Sequence, residues 1–355
     1  MKKIYSLLTL AFALNLQLMA GNLNVNTTND TTETTGNDLS AEMKTFYDMR
    51  LIDMAKPALV HDQFGQKRPI PANGGKNIEF RKFAPLAKAL TPLTEGVTPD
   101  GKKLSVSTIP AEVSQYGDYV TQSDMLELTA IDNTILEATK LLGSQAGLTL
   151  DTVTRTILQS GDNVTYCPKI SSTGVETKVE SRANLDATAQ LTVDVVQQVV
   201  AKLRAQNAPT INGKYVAIIH PYVAYDLMRD PEWIDSHKYA TPDNLYEGEI
   251  GEIAGVRFVQ TSEAKIYKGG STEPSGLAVF GTLFMGDGAY GITEITGGGL
   301  QTIVKQKGSA GTADPLDQRS TIGWKAIKTA EILIPQYLVR VESCSKRFSA
   351  SAVAN

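Results

Sequence analysis

The clearest pattern along the chain is an apolar stripe over residues 123–160. Leu128, Ile131, Ile135, Ala138, Leu142, Ala146, Val153 and Ile157 recur at gaps of 3, 4 or 7 residues, the spacing of one helix face. Thr121 and Asp124 offer a cap at its start, and Gly161 a stop at its end. Unbroken, this helix would run about 57 Å at about 1.5 Å per residue, with Gly143 and Gly147 as the points where it bends. No coiled-coil repeat accompanies it, so it reads as a structural strut.

On either side the pattern changes. Residues 22–38 are almost all Asn, Thr, Asp and Gly, too polar to order themselves alone, and read as a flexible arm. Met43, Phe46, Tyr47, Leu51 and Met54 are spaced like another helix face, ended by Pro57. Ile78–Phe83 and Leu104–Ile109 are strand-like. The polar excursion between them carries Pro85, Pro92 and Pro99, and a compact domain seldom keeps so long a loop without a use for it. From residue 186 onward helices and strands alternate. A helix over Leu191–Gln206 precedes a buried strand at Tyr215–His220 and a helix opened by Pro221. Gly255–Val259, Leu277–Phe280 and the alternating run Ile322–Ile334 read as strands, with a short strand after Pro335. The class is α+β.

Composition narrows the function. Of 355 residues, 42% are hydrophobic and 20% charged, an ordinary globular balance, and the net charge is −4. Tight whole-chain binding to nucleic acid or an anionic membrane is not expected. After the first twenty residues no apolar run approaches the roughly 20 needed to cross a bilayer. Cys167 and Cys344 read as two unpaired thiols, with a single disulfide left as the alternative. Charge is unevenly placed. Residues 62–90 hold six basic and two acidic residues, whereas residues 221–263 hold nine acidic and three basic. Two solvated faces explain this; so would a basic loop on one copy meeting an acidic face on another, through Lys67, Arg68, Arg81, Lys82 and Glu232, Asp235, Glu247, Glu249.

Catalytic motifs are weak. Gly286-Asp287-Gly288-Ala289-Tyr290-Gly291 spells G-x-G-x-x-G, but a β-like, Gly-rich stretch follows where a dinucleotide site needs a helix. His61, His220 and His237 have no Cys or His at ligand spacing, and His220, closing a strand before a helix, reads as a cap or packing residue. Asp226, Asp230, Glu232 and Asp235 read as solvated helix ends. No enzyme, metal or cofactor is expected.

The order of parts resembles the Hong Kong 97-type phage capsid protein, and the sequence resembles the major capsid family named for gene product 56 of phage N-four. The resemblance is carried by LTEGVTPDGKKLSVSTIPAEVSQYGDYVTQSD (Leu93 to Asp124), YVAIIHPYVAYDLMRDPEWI (Tyr215 to Ile234), GEIGEIAGVRFVQTSEA (Gly248 to Ala264), LFMGDGAYGI (Leu283 to Ile292) and DPLDQRSTIGWKAIKTAEIL (Asp314 to Leu333). It implies a leader and arm over 1–60, an extended loop over 61–115 and a peripheral domain with a spine helix over 116–185. It further implies an axial domain over 186–315 and peripheral return strands and tail over 316–355. The implied function is a major capsid protein that self-assembles, as hexamers and pentamers, into an icosahedral shell around a phage genome. Its implied partners are portal and scaffold or decoration proteins, with weak, non-specific contact to packaged double-stranded DNA and no membrane. The implied location is the virion capsid, assembled in the host cytoplasm. The rivals are an encapsulin-like nanocompartment shell and an exported bacterial surface protein.

The export reading rests on MKKIYSLLTLAFALNLQLMAGN. A cut after Ala20 would put Leu18 where a small residue is needed, and Asn15 and Gln17 interrupt the apolar run. The stretch is expected to be the head of a capsid arm instead.

Overall fold

The structure is a computed structural model. It describes residues 60–355 except 71–75, 84, 85, 94, 99, 100, 130–133, 172, 238–248, 295–299 and 310–313. The arm, the leader and the helix expected over residues 39–60 therefore lie outside the described residues, Val60 aside.

In chain order the elements are β1 (Gln66–Lys67), β2 (Asn77–Phe83), β3 (Val106–Glu112), β4 (Ser114–Ser123), α1 (Asp124–Thr129) and α2 (Thr134–Leu158). Then come β5 (Val164–Tyr166), β6 (Lys169–Ile170), β7 (Glu176–Thr177), α3 (Val193–Ala205), β8 (Tyr215–Ile219), α4 (Pro221–Met228) and α5 (Pro231–His237). The rest are β9 (Glu249–Ile253), β10 (Val256–Gln260), β11 (Ile266–Tyr267), β12 (Val279–Met285), β13 (Tyr290–Glu294), β14 (Gln301–Lys305), β15 (Arg319–Ile332) and β16 (Leu338–Cys344).

The chain divides into two compact units. Among the described residues, the larger unit holds 60–116, 147–299 and 326–355. Its centre is a sheet in the order β5-β16-β12-β8-β10-β9, with β11 on β12. β8 runs parallel to β10 and antiparallel to β12; β16 is antiparallel to β12 and parallel to β5. β8 (YVAII) and β12 (VFGTLFM) are buried along their whole length, so both faces are apolar and polar alternation is lost. Side chains still alternate across the sheet. Tyr215, Ala217 and Ile219 join one apolar cluster with Phe258, Phe280, Phe284 and the α3 residues Val195, Val196, Val199 and Leu203. Val216 and Ile218 join the opposite cluster with Leu158, Leu283, Met285 and Tyr290.

Local chemistry sets the helix ends. Asp230 Oδ2 accepts from Val193 N–H (3.0 Å) at the start of α3, and its Oδ1 accepts from Glu232 N–H (3.1 Å) at the start of α5. His220 caps α4: its Nδ1 accepts from Tyr222 N–H (3.1 Å), with Pro221 in the first helical position. Of the acidic cluster read as solvated helix ends, Glu232 and Asp235 are exposed, whereas Asp230 is a helix cap and Asp226 is half-buried.

Three buried ionic groups cross-brace this unit. Arg182 donates to both carboxylate oxygens of Glu342 (2.7 and 2.6 Å), while Arg340 Nε lies 2.9 Å from the same carboxylate. Asp151 accepts from the backbone N–H and Nδ1 of His61 (2.9 and 2.7 Å). Lys328 donates to Asp62 and to the Leu150 carbonyl (3.1 Å), and Asp62 also accepts from Thr154 (2.7 Å). Cys167 and Cys344 are both buried and free. Burial pushes the Cys344 thiol up to about 12 and the Cys167 thiol up strongly as well.

Among the described residues, the smaller unit holds 117–146 and 300–325. In it, β15 lies between β4 and β14. Gly117 and Gly323 let β4 and β15 approach closely: a Cβ on Gly117 would stand 2.6 Å from the Trp324 carbonyl oxygen, and one on Gly323 2.7 Å from Tyr119 Cβ.

The expected helix over 123–160 is present as α1 and α2, with residues 130–133 between them outside the description. Gly143 and Gly147 both lie inside α2, which continues through them for 25 residues. The strand expected at Leu277–Phe280 is Val279–Met285, because a strand buried on both faces carries no alternation to mark its end.

Candidate assembly surfaces

β2 and β3 form an antiparallel hairpin whose register runs from Asn77↔Glu112 to Phe83↔Val106. Phe80 anchors it: the ring is buried, and a Cβ on Gly291 would stand 2.8 Å from it. Beyond Phe83 the loop projects Leu86, Leu90, Leu93, Val97 and Leu104 into solvent, with Leu90 82% exposed. Within the loop, Lys102 Nζ donates to the Ala87 carbonyl (3.1 Å).

The basic residues singled out in the sequence come together at the hairpin's base. β1 pairs parallel with β13 (Lys67↔Ile292), and Arg68 N–H donates to the Ile292 carbonyl at 3.0 Å. Arg68, Arg81 and Lys82 rim a cleft of about 160 Å³ floored by Phe80, Ile109 and Leu333. Lys67 is exposed next to Arg68 and outside the lining. None of the four makes an ion pair among the described residues.

The acidic segment is more dispersed. Glu232 and Asp235 are exposed on α5, and Glu249 opens β9 opposite Val259. Glu247 lies outside the described residues. Several neighbours have partners within the chain: Glu252 pairs with Lys214 at the surface, Glu263 pairs with Arg155, and Asp230 caps two helices. Burial raises the Asp226 carboxyl, against Ser345 and Arg347 nearby. The formal charge of the segment thus overstates what its surface presents.

The glycine-rich turn at Gly286–Gly288 joins β12 to β13, with Gly288 at φ 68° and a strand following it. A helix that could hold a pyrophosphate does not follow. Among the described residues, no group of three or more His, Cys, Asp or Glu is placed to hold a metal ion, and no helix is long and apolar enough to cross a membrane.

Sequence reasoning missed the three buried ionic groups. Their partners stand 90, 160 and 266 residues apart, and nothing local in the chain marks them.

The β2–β3 hairpin, the 25-residue helix α2, the mixed seven-stranded sheet and a second sheet define a capsid protein of the Hong Kong 97-like fold. The structure is similar to the capsid of Ralstonia phage GP4 (14% identity, 90% of this chain and all of that one, TM-score 0.67). It is also similar to the capsid of cyanophage P-SCSP1u (13% identity, 90% of this chain and all of that one, TM-score 0.63). A more modest likeness is to the holo-SrpI encapsulin complex of Synechococcus elongatus PCC 7942 (10% identity, 90% and 100% coverage, TM-score 0.53). Comparison with curated proteins finds no match. The phage capsid protein family model matches residues 106–340, and the chain belongs to that family; it is a phage major capsid protein.

Proposed function

We propose that copies of this chain assemble in the host cytoplasm, as hexamers and pentamers, into a closed icosahedral shell around a packaged double-stranded DNA genome. Residues 61–115 act as the loop laid over a neighbour, 116–185 with 316–355 as the peripheral domain, and 186–315 as the axial domain. The role is structural, not catalytic, and portal, scaffold and decoration proteins are its further partners. The single observation that carries the reading is the β2–β3 hairpin, whose loop holds exposed leucines that its own chain leaves uncovered. Another chain would bury them, and the loop's prolines reduce the ordering entropy lost on docking.

The basic cleft at the hairpin's base supports an electrostatic register: Lys67, Arg68, Arg81 and Lys82 on one copy face Glu232, Asp235, Glu247 and Glu249 on the next. Reversing the four basic residues to Glu should abolish shells in electron micrographs while circular dichroism of the subunit stays unchanged. Normal shells from that variant would refute the register.

The encapsulin likeness supports a second reading, a nanocompartment shell. Shells purified from infected cells should contain genomic DNA; a cargo enzyme in its place would favour the second reading.

A further inference from the structure

We propose that β14 is a self-complementary edge: two copies pair their β14 strands antiparallel, centred on Ile303, across a two-fold axis of the shell. The inference rests on the shell reading above and adds a specific contact to it.

The smaller unit is short of cover. Both large apolar clusters consist entirely of residues of the larger unit. Yet of the nineteen exposed large apolar side chains among the described residues, eight belong to the smaller unit, which has far fewer residues. Three of them, Leu300, Ile303 and Val304, lie on or directly before β14. Every residue of β14 is exposed, so neither face of the strand is covered.

The strand also has an open side. Among the described residues β14 pairs only with β15, in the register Gln301↔Lys325 to Lys305↔Thr321. Soluble proteins blunt such edges with proline, a bulge or a central lysine. β14, QTIVK, has no proline, and its one charge stands at its end. A β-prone, apolar, unblunted edge invites another strand.

Charge and symmetry select the partner. Antiparallel self-pairing about Ile303 sets Gln301 opposite Lys305 and Thr302 opposite Val304. Parallel pairing in register would set Lys305 against Lys305, which is unfavourable. An icosahedral shell contains two-fold axes, and only a surface that complements itself can lie on one. A second copy of β14 meets both conditions.

The test places a cysteine at the centre of the pairing. Opposed residues in an antiparallel pair have Cα atoms about 4.5–5.5 Å apart, within disulfide range. Shells of Ile303→Cys, mildly oxidised, should run largely as disulfide dimers on a non-reducing denaturing gel. Leu316→Cys, exposed in the same unit, should remain monomeric. Amide hydrogen exchange on the unaltered protein gives an independent reading: residues 301–305 should exchange at least tenfold more slowly in shells than in free subunits. Shells that form without Ile303→Cys dimers, or with unchanged exchange at 301–305, overturn the pairing and leave the shell reading intact. Protection that arises only when a second protein is added assigns the edge to that protein and overturns the pairing. If Ile303→Cys fails to assemble, the exchange measurement decides. Failure of the unaltered protein to form shells overturns the shell reading, and the pairing with it.

Discussion

Asp151 holds His61 at two points, through the backbone N–H at 2.9 Å and ring Nδ1 at 2.7 Å, with the His61 side chain wholly buried. Tyr290 completes the site by donating to the His61 carbonyl at 2.5 Å. Because the ring Nδ1–H and the backbone N–H both donate to one carboxylate, Asp151→Ala strands two buried donors at once. The loss should be about 3–5 kcal/mol, the range for breaking a buried charged contact. Asp151→Asn keeps one acceptor and should lose less. Urea unfolding of the subunit measures both; a loss below about 1 kcal/mol for the alanine variant would show that the contact does not hold this segment.

The Arg182–Glu342 pair makes a different prediction. Glu342 is fully buried, and its carboxylate is shared by Arg182 and Arg340. The bond to Glu342 holds the Arg182 guanidinium well above its usual range, so it remains charged throughout. Arg182 also lies 3.7 Å over the Tyr267 ring. Arg182→Met alone should cost about 3–5 kcal/mol, because the carboxylate loses its bidentate partner. Arg182→Met with Glu342→Met should be closer to the parent than either single variant, since hydrophobic replacement of a whole pair is often neutral. Strictly additive losses in a denaturation cycle would count against this.

His220 should make the subunit sensitive to acid. Burial lowers its pKa from 6.5 to about 4, and in this state Nδ1 must be unprotonated to accept from Tyr222. Between those values the unfolded chain binds the extra proton and the folded chain does not. The stabilisation is therefore complete above about pH 6.5, is lost as pH falls towards about 4, and levels off below that. At full extent it is about 3 kcal/mol. His220→Asn keeps a capping oxygen and removes the titration. The difference in stability between pH 7 and pH 4.5 should therefore shrink in that variant. An equal pH dependence in both proteins would exclude His220 as the source.

What could be read in the chain follows what is local. The 3–4 spacing of α2, the Pro221 start of α4 and the alternation in β15 each arise from neighbours within a few turns or pleats, so their periods survive in the sequence. The paired strands of the hairpin were visible as apolar runs set apart by prolines. β12 was placed late, because burial on both faces erases the polar punctuation that would mark its end. The buried ionic groups were invisible for another reason. Asp62 and Lys328, 266 positions apart in sequence, are ordinary charged residues until folding brings them together. The clustering of basic residues was legible because Arg68, Arg81 and Lys82 are close in sequence and meet at one cleft. The charge count of residues 221–263 says less, because Asp230 caps two helices while Glu252 and Glu263 are paired with Lys214 and Arg155.

The order of the central sheet also bears on how the subunit is made. β16 lies between β5 and β12, and its neighbour β5 precedes it by more than 170 residues. A nascent chain emerging at about 5–20 residues per second therefore carries β5 for roughly 9–35 s before its partner exists. Late in that interval, once β12 (Val279–Met285) has been made, β5 and β12 both present unpaired edges, and pairing so distant in sequence is intrinsically slow. Completion of this sheet is thus timed by the ribosome, and that waiting period is when a folding helper would have its greatest effect on subunit yield.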